Sequence, residues 1–252
     1  MSFKTNDTGR APRLVLESLD GGTPKEIPLG RTPDDSDAAP LSAAVLGDVM
    51  AVAAQFGRSS YSLYFIDTKK MRLVKTAKLA LPPLTQDRLH SWHLPVVAAG
   101  PDRFGIAIGH ADELVWLEYD PRGRERVAPR ILTTSLATTI KPWVVWGGDR
   151  FFVLGDRTVE KRFRLTQVPE LLAVSPDGTS LERLVSLDGF ALTPETSQWV
   201  GSGRLIFEKG ALFLAARTYA RDSTTNRAKF QPFRASTGGA VDVRECPDID
   251  EE

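Results

Sequence analysis

Apolar residues in this chain do not recur every three or four positions over any long stretch. They come in runs of four to eight, rich in Val, Ile, Leu, Phe and Tyr, separated by turn-forming residues. That pattern predicts a chain built almost wholly of β-strands. In the segment Leu114 to Leu132, one strand reaches Asp120-Pro121-Arg122-Gly123 and a second returns from it. Proline in the second position and glycine in the fourth are type I turn chemistry. Similar hairpins turn around Asp20, Asp67, Ser175 and Ser236, so the five anchors fall 47, 53, 55 and 61 residues apart.

A second kind of turn precedes the last four hairpins: Gly47-Asp48, Gly100-Pro101-Asp102, Gly147-Gly148-Asp149 and Glu208-Lys209-Gly210, each flanked by apolar strands. The repeating unit is therefore four antiparallel strands, A to D. From Asp48, Asp102, Asp149 and Gly210 to the next hairpin turn the distances are 19, 18, 26 and 26 residues. Two units are compact, and two are expected to carry a longer loop between strands B and C, at about Gly155 to Gln167 and Tyr219 to Lys229.

A four-stranded unit of this length, repeated from roughly Arg13 to Cys246, resembles the β-propeller superfamily, whose blades bury both faces against their neighbours. The Gly-His and Trp-Asp signatures of WD repeats are missing, and Gly147-Gly148 falls on an A-to-B turn where kelch repeats would not place their glycine pair. The resemblance implies an all-β propeller of about five four-stranded antiparallel blades. The first blade is incomplete, with C and D strands only, so that either a thin blade closes the ring or the product is an open arc. The whole chain, 1–252, reads as a single propeller domain with a disordered N-terminus over 1–11 and an acidic tail over 247–252.

Lys plus Arg and Asp plus Glu each number 32, so the formal net charge is zero and no global field draws the chain onto nucleic acid or an acidic membrane. The one cysteine, Cys246, cannot close an intramolecular disulfide. The N-terminal residues contain no apolar signal core, and no uncharged apolar run approaches the roughly 20 residues of a membrane span. These features read as a soluble, cytoplasmic protein.

The propeller resemblance also sorts candidate residues. It implies A-to-B and C-to-D turns at one face, and B-to-C loops with D-to-A crossovers at the other, where ligands bind. All three histidines fall on that second face: His90 and His93 in one crossover, and His110 in the loop after a B strand, followed by Asp112 and Glu113. Imidazoles with a carboxylate are a divalent-metal set, and an open coordination position would activate water. The competing reading has Trp92 packed under the crossover and the histidines solvated.

A cationic set, Arg58, His110, Arg157 and Arg221, falls in the B-to-C loops of four blades and suits a small anionic ligand, since guanidinium offers paired donors. Neighbouring Asp112, Asp156 and Asp222 oppose it. Trp143 and Trp146 lie three apart on one strand and so face opposite sides of a sheet. Arg122, Arg124, Arg126 and Arg130 read as a solvated turn hairpin, and Asp34 to Asp37 lack calcium-loop spacing. No GxSxG elbow, Walker loop or Rossmann glycine pattern appears. Two functions follow from these readings. The leading one is a non-catalytic binding or scaffold propeller, without a cofactor, that presents loops to a protein or small anionic ligand. The alternative is a hydrolase or lyase at the channel mouth, metal-assisted through His90, His93 and His110.

Overall fold

The computed structural model describes residues 2–4, 13–16, 22–29, 38–56, 60–81, 95–110, 113–133, 142–161, 164–186, 196–199, 204–220, 228–236 and 243–245. All their regular structure is β-strand, ordered as five successive antiparallel sheets. The first holds β1 (Ser2–Lys4), β2 (Arg13–Leu16) and β3 (Lys25–Pro28); the second holds β4 (Ala38–Leu46), β5 (Val49–Phe56), β6 (Ser60–Asp67) and β7 (Arg72–Leu79). The third holds β8 (Pro95–Ala99), β9 (Phe104–His110), β10 (Glu113–Tyr119) and β11 (Glu125–Thr133); the fourth holds β12 (Trp143–Trp146), β13 (Phe151–Lys161), β14 (Arg164–Val174) and β15 (Leu181–Ser186). In the fifth, β16 (Thr196–Trp199) and β17 (Arg204–Glu208) share the A position against β18 (Ala211–Ala220), followed by β19 (Ala228–Ser236) and β20 (Val243–Glu245).

This is the β-propeller class, with about five blades and the first incomplete. That first blade has one strand beyond the expected C and D, because Ser2–Lys4 pairs with Arg13–Val15.

By its contacts the chain divides into two units, residues 1–108 with 116–130 and residues 109–115 with 131–252. In the first unit, side chains alternate between two buried faces, which is why the strands read as continuous apolar runs. Met50, Val52, Ala54, Tyr64 and Ile66 of the second sheet pack with Leu14 and Ile27 of the first. The alternate positions Leu63 and Phe65 are equally buried, and the Phe65 ring meets Phe104 at 6.1 Å and Tyr119 at 5.8 Å across to the third sheet. Each such buried side chain contributes about 1.5–3 kcal/mol. Between A strands, the Val97 N–H donates to Ser42 Oγ at 3.0 Å.

In the second unit, Phe152, Leu154, Leu171 and Ala173 pack against Leu205, Leu212 and Leu214. Trp143 joins that cluster, whereas Trp146 meets Phe151 edge-on at 4.8 Å. The two tryptophans thus face opposite sides of their sheet, as their spacing predicts. The Phe152 ring lies over the Gly147 backbone so closely that a Cβ there would come within 2.1 Å of it.

Candidate functional site

The turns at one end of the sheets are tied to each other by short polar links. Thr68 donates to the Asp48 carbonyl through both its N–H (2.9 Å) and its Oγ1 (3.0 Å), and Lys69 pairs with the Asp48 carboxylate at 2.7 Å. An A-to-B turn and a C-to-D turn therefore share one edge of the sheet. Arg126 pairs with Asp102 in the next sheet, and Arg150 reaches both Asp149 (3.1 Å) and Glu182 (3.4 Å) in the one after. The same arrangement recurs three times with different residues.

Hydrogen bonds at these turns lower three carboxylates, Asp67, Asp102 and Asp177. Arg126 holds Asp102 below the usual carboxylate range, and the Lys70 N–H does the same for Asp67. Asp177 accepts from Ser175 Oγ at 2.6 Å and from Thr179 Oγ1 at 2.8 Å, which lowers it to about 2. Such groups accept hydrogen bonds but are poor proton donors or bases near neutral pH.

Glu118 behaves differently. Burial pushes its carboxyl up, and the attraction of Arg103 and the Trp116 indole N–H offset this only in part. It pairs with Arg103 at 2.9 Å and accepts from Trp116 Nε1 at 3.2 Å, with its side chain 3% exposed. Glu170, fully buried, pairs with Arg183 at 2.9 Å. Sequence reading missed both, although each is a charge set directly beside buried apolar residues, Leu117 and Leu171, and that is the signal that marks them.

The B-to-C end carries the sequence-predicted candidates. Arg58, His90, His93 and Arg221 lie outside the described residues. His110 is the last residue of β9 and not part of the following loop, and Arg157 lies within β13 opposite Val168. The expected loop over 155–167 is corrected in the same way: β13 and β14 stay paired from Gly155↔Glu170 to Lys161↔Arg164. Their outer partners stop earlier, since β12 pairs only with residues 151–154 of β13 and β15 only with residues 170–174 of β14. Beyond those points the sheet narrows to a two-stranded ribbon.

Among the described residues no three His, Cys, Asp or Glu side chains come together as a metal set, and the three imidazoles are not among the described side chains. No helix among the described residues is long and apolar enough to cross a membrane.

No family model matches the chain, and no curated protein sequence matches it. Solved structures that resemble it include TolB from Acinetobacter baumannii, at TM-score 0.44 and 13% identity, over 94% of this chain and 60% of that one. The β-propeller domain of the Trilobed protease from Pyrococcus furiosus gives 0.47 and 12%, over 98% and 77%. An endo-arabinase from Bacteroides thetaiotaomicron gives 0.46 and 11%, over 82% and 79%. The chain spans less than two thirds of the TolB chain's length. The fold assignment rests on the chain's own sheets and not on these likenesses.

Proposed function

We propose that the chain is a non-catalytic binding or scaffold module that presents the B-to-C ends of its sheets to a protein partner or a small anionic ligand. The fold class itself is compatible with binding proteins and enzymes alike. The observation that supports binding is the β13–β14 ribbon. Past Leu154 and Glu170 neither ribbon edge is paired within its sheet among the described residues, and an unpaired strand edge is a template for another chain. The segment 156–167 carries Arg157, Lys161, Arg162 and Arg164 against Asp156 and Glu160, so its chemistry favours an anionic partner. The β18–β19 hairpin repeats the arrangement on its outer side, where β20 pairs only with Phe233–Ala235.

The test uses the full chain and two shortened forms, one lacking Asp222 to Arg227 and one with Val159 to Thr166 replaced by Asn-Gly, which leaves the Thr158↔Gln167 pair to flank the turn. Capture of the partner in a pull-down is expected to be lost in both, with the melting temperature unchanged, because neither deletion touches the buried clusters. Capture that persists in both forms would remove the proposal.

A further inference from the structure

We infer that β7, the outer strand of the second sheet, together with the Asp120-to-Arg124 turn of the third, is a docking edge for an acidic, extended protein segment that adds to it as a strand. This edge belongs to the first unit and does not depend on the ribbon described above.

The backbone supplies the first reason. The order β4-β5-β6-β7 leaves the outer side of β7 without a strand partner among the described residues. Eight residues long, it offers an ordinary strand's length of N–H and C=O groups. The outer strands β3 and β11 carry Pro28 and Pro129, each of which removes a donor, but β7 contains no proline.

Charge supplies the second. Every ionisable residue of β7 is basic: Arg72, Lys75 and Lys78. By contrast, β15 carries Glu182 and Arg183, and both are engaged, with Arg150 and Glu170. Arg72 and Lys78 are exposed, and Arg72, opposite Asp67, attracts that carboxylate without a direct ion pair among the described residues.

Packing supplies the third. Lys75 Nζ donates to the Gly123 carbonyl at 2.5 Å, which fastens the next hairpin turn beside β7 and brings the exposed Arg122 and Arg124 to the same edge. The one acid in that turn, Asp120, already accepts from the backbone N–H groups of Arg122 (2.9 Å) and Arg124 (2.8 Å). At a register irregularity midway along the strand, Val74 is 53% exposed and adds an apolar contact between the cations.

An edge whose strand carries only cations repels a second copy of itself while attracting an acidic strand, so one set of side chains both excludes and selects. Nucleic acid would use the charge but not the backbone donors, and the aromatic residues opposite this strand, Tyr61, Tyr64 and Phe65, are buried and offer no stacking face.

The probe is a fluorescein-labelled eight-residue peptide of alternating Glu and Val, titrated into the full chain and followed by anisotropy. The Arg72→Glu, Lys78→Glu double variant is expected to weaken binding by roughly tenfold or more, since each reversal turns a cross-strand attraction into a repulsion. Its melting temperature is expected to fall only slightly, since both residues are exposed although Arg72 lies opposite Asp67. The same peptide N-methylated at alternate residues is expected not to bind. Equal binding by the double variant, equal binding of the N-methylated peptide, or tighter binding of a single-stranded oligonucleotide would each overturn the inference.

Discussion

Glu118 shows how much one buried charge depends on its surroundings. Leu114 to Leu117 beside it are fully buried, and Arg103 and the Trp116 indole provide its polar contacts. Burial raises its carboxyl above the usual 4.5, so the folded chain keeps a proton there at pH values where the unfolded chain has released it. Its contribution to stability is therefore complete below pH 4.5 and declines as pH rises through the folded-state value. Glu118→Gln abolishes that decline. Urea unfolding at intervals from pH 4.5 to pH 8 is expected to show the wild type losing stability relative to Glu118→Gln as pH rises; the opposite slope would mean that attraction to Arg103, not burial, governs the group. At this scale the sequence was only partly legible. Histidines and loop arginines attract notice because their chemistry is unusual, whereas Glu118 and Glu170 are set apart only by being charged where their neighbours are apolar.

The hairpin turns were legible as elements because their chemistry is local. Asp120-Pro121-Arg122-Gly123 and Ser175-Pro176-Asp177-Gly178 close alike: Gly123 N–H donates to the Asp120 carbonyl at 2.9 Å, and Gly178 N–H to the Ser175 carbonyl at 2.8 Å. Both glycines are left-handed, with φ of 71° and 68°, and Met71 holds the same region (φ 50°) after Asp67 without being glycine. The ribbon was not legible. Between Asp156 and Lys161 the only apolar residue is Val159, so polarity does not separate a projecting strand from a loop, and only the backbone ladder to β14 defines it. Nor does any local rule reveal that Gly123 is enclosed by a neighbouring sheet, where a Cβ would lie 2.8 Å from Lys75 Cδ and 2.9 Å from the Phe65 ring. Gly123→Ala is accordingly expected to cost about 3 kcal/mol, from left-handed strain plus overpacking. Gly210→Ala, also left-handed but with nothing within 4 Å of an added Cβ, is expected to cost about 1 kcal/mol from strain alone. Paired urea denaturation curves check this, and equal losses would show that the contact between the two hairpins carries no weight.

For the molecule as a whole, the repeat of hairpins revealed the sheets because every sheet solves the same problem of covering two apolar faces. The division of the chain into two units was not visible in that repeat, since hairpin spacing records what each sheet is and not how densely it contacts the others. The two units have separate buried clusters, one around Leu14, Val52 and Ile66, the other around Leu154, Leu171 and Leu214. Stability in stacked-sheet proteins is carried by nearest-neighbour interfaces, so a cavity in one cluster should loosen the sheets that share it before any others. Leu214 is 1% exposed, and Leu214→Ala is expected to cost about 2–5 kcal/mol. Hydrogen exchange read by mass spectrometry should then speed up in β12 to β19 while β2 to β7 keep wild-type protection. Equal acceleration in both sets would instead show that the whole chain opens as one cooperative block, with the two clusters coupled as strongly to each other as each is within itself.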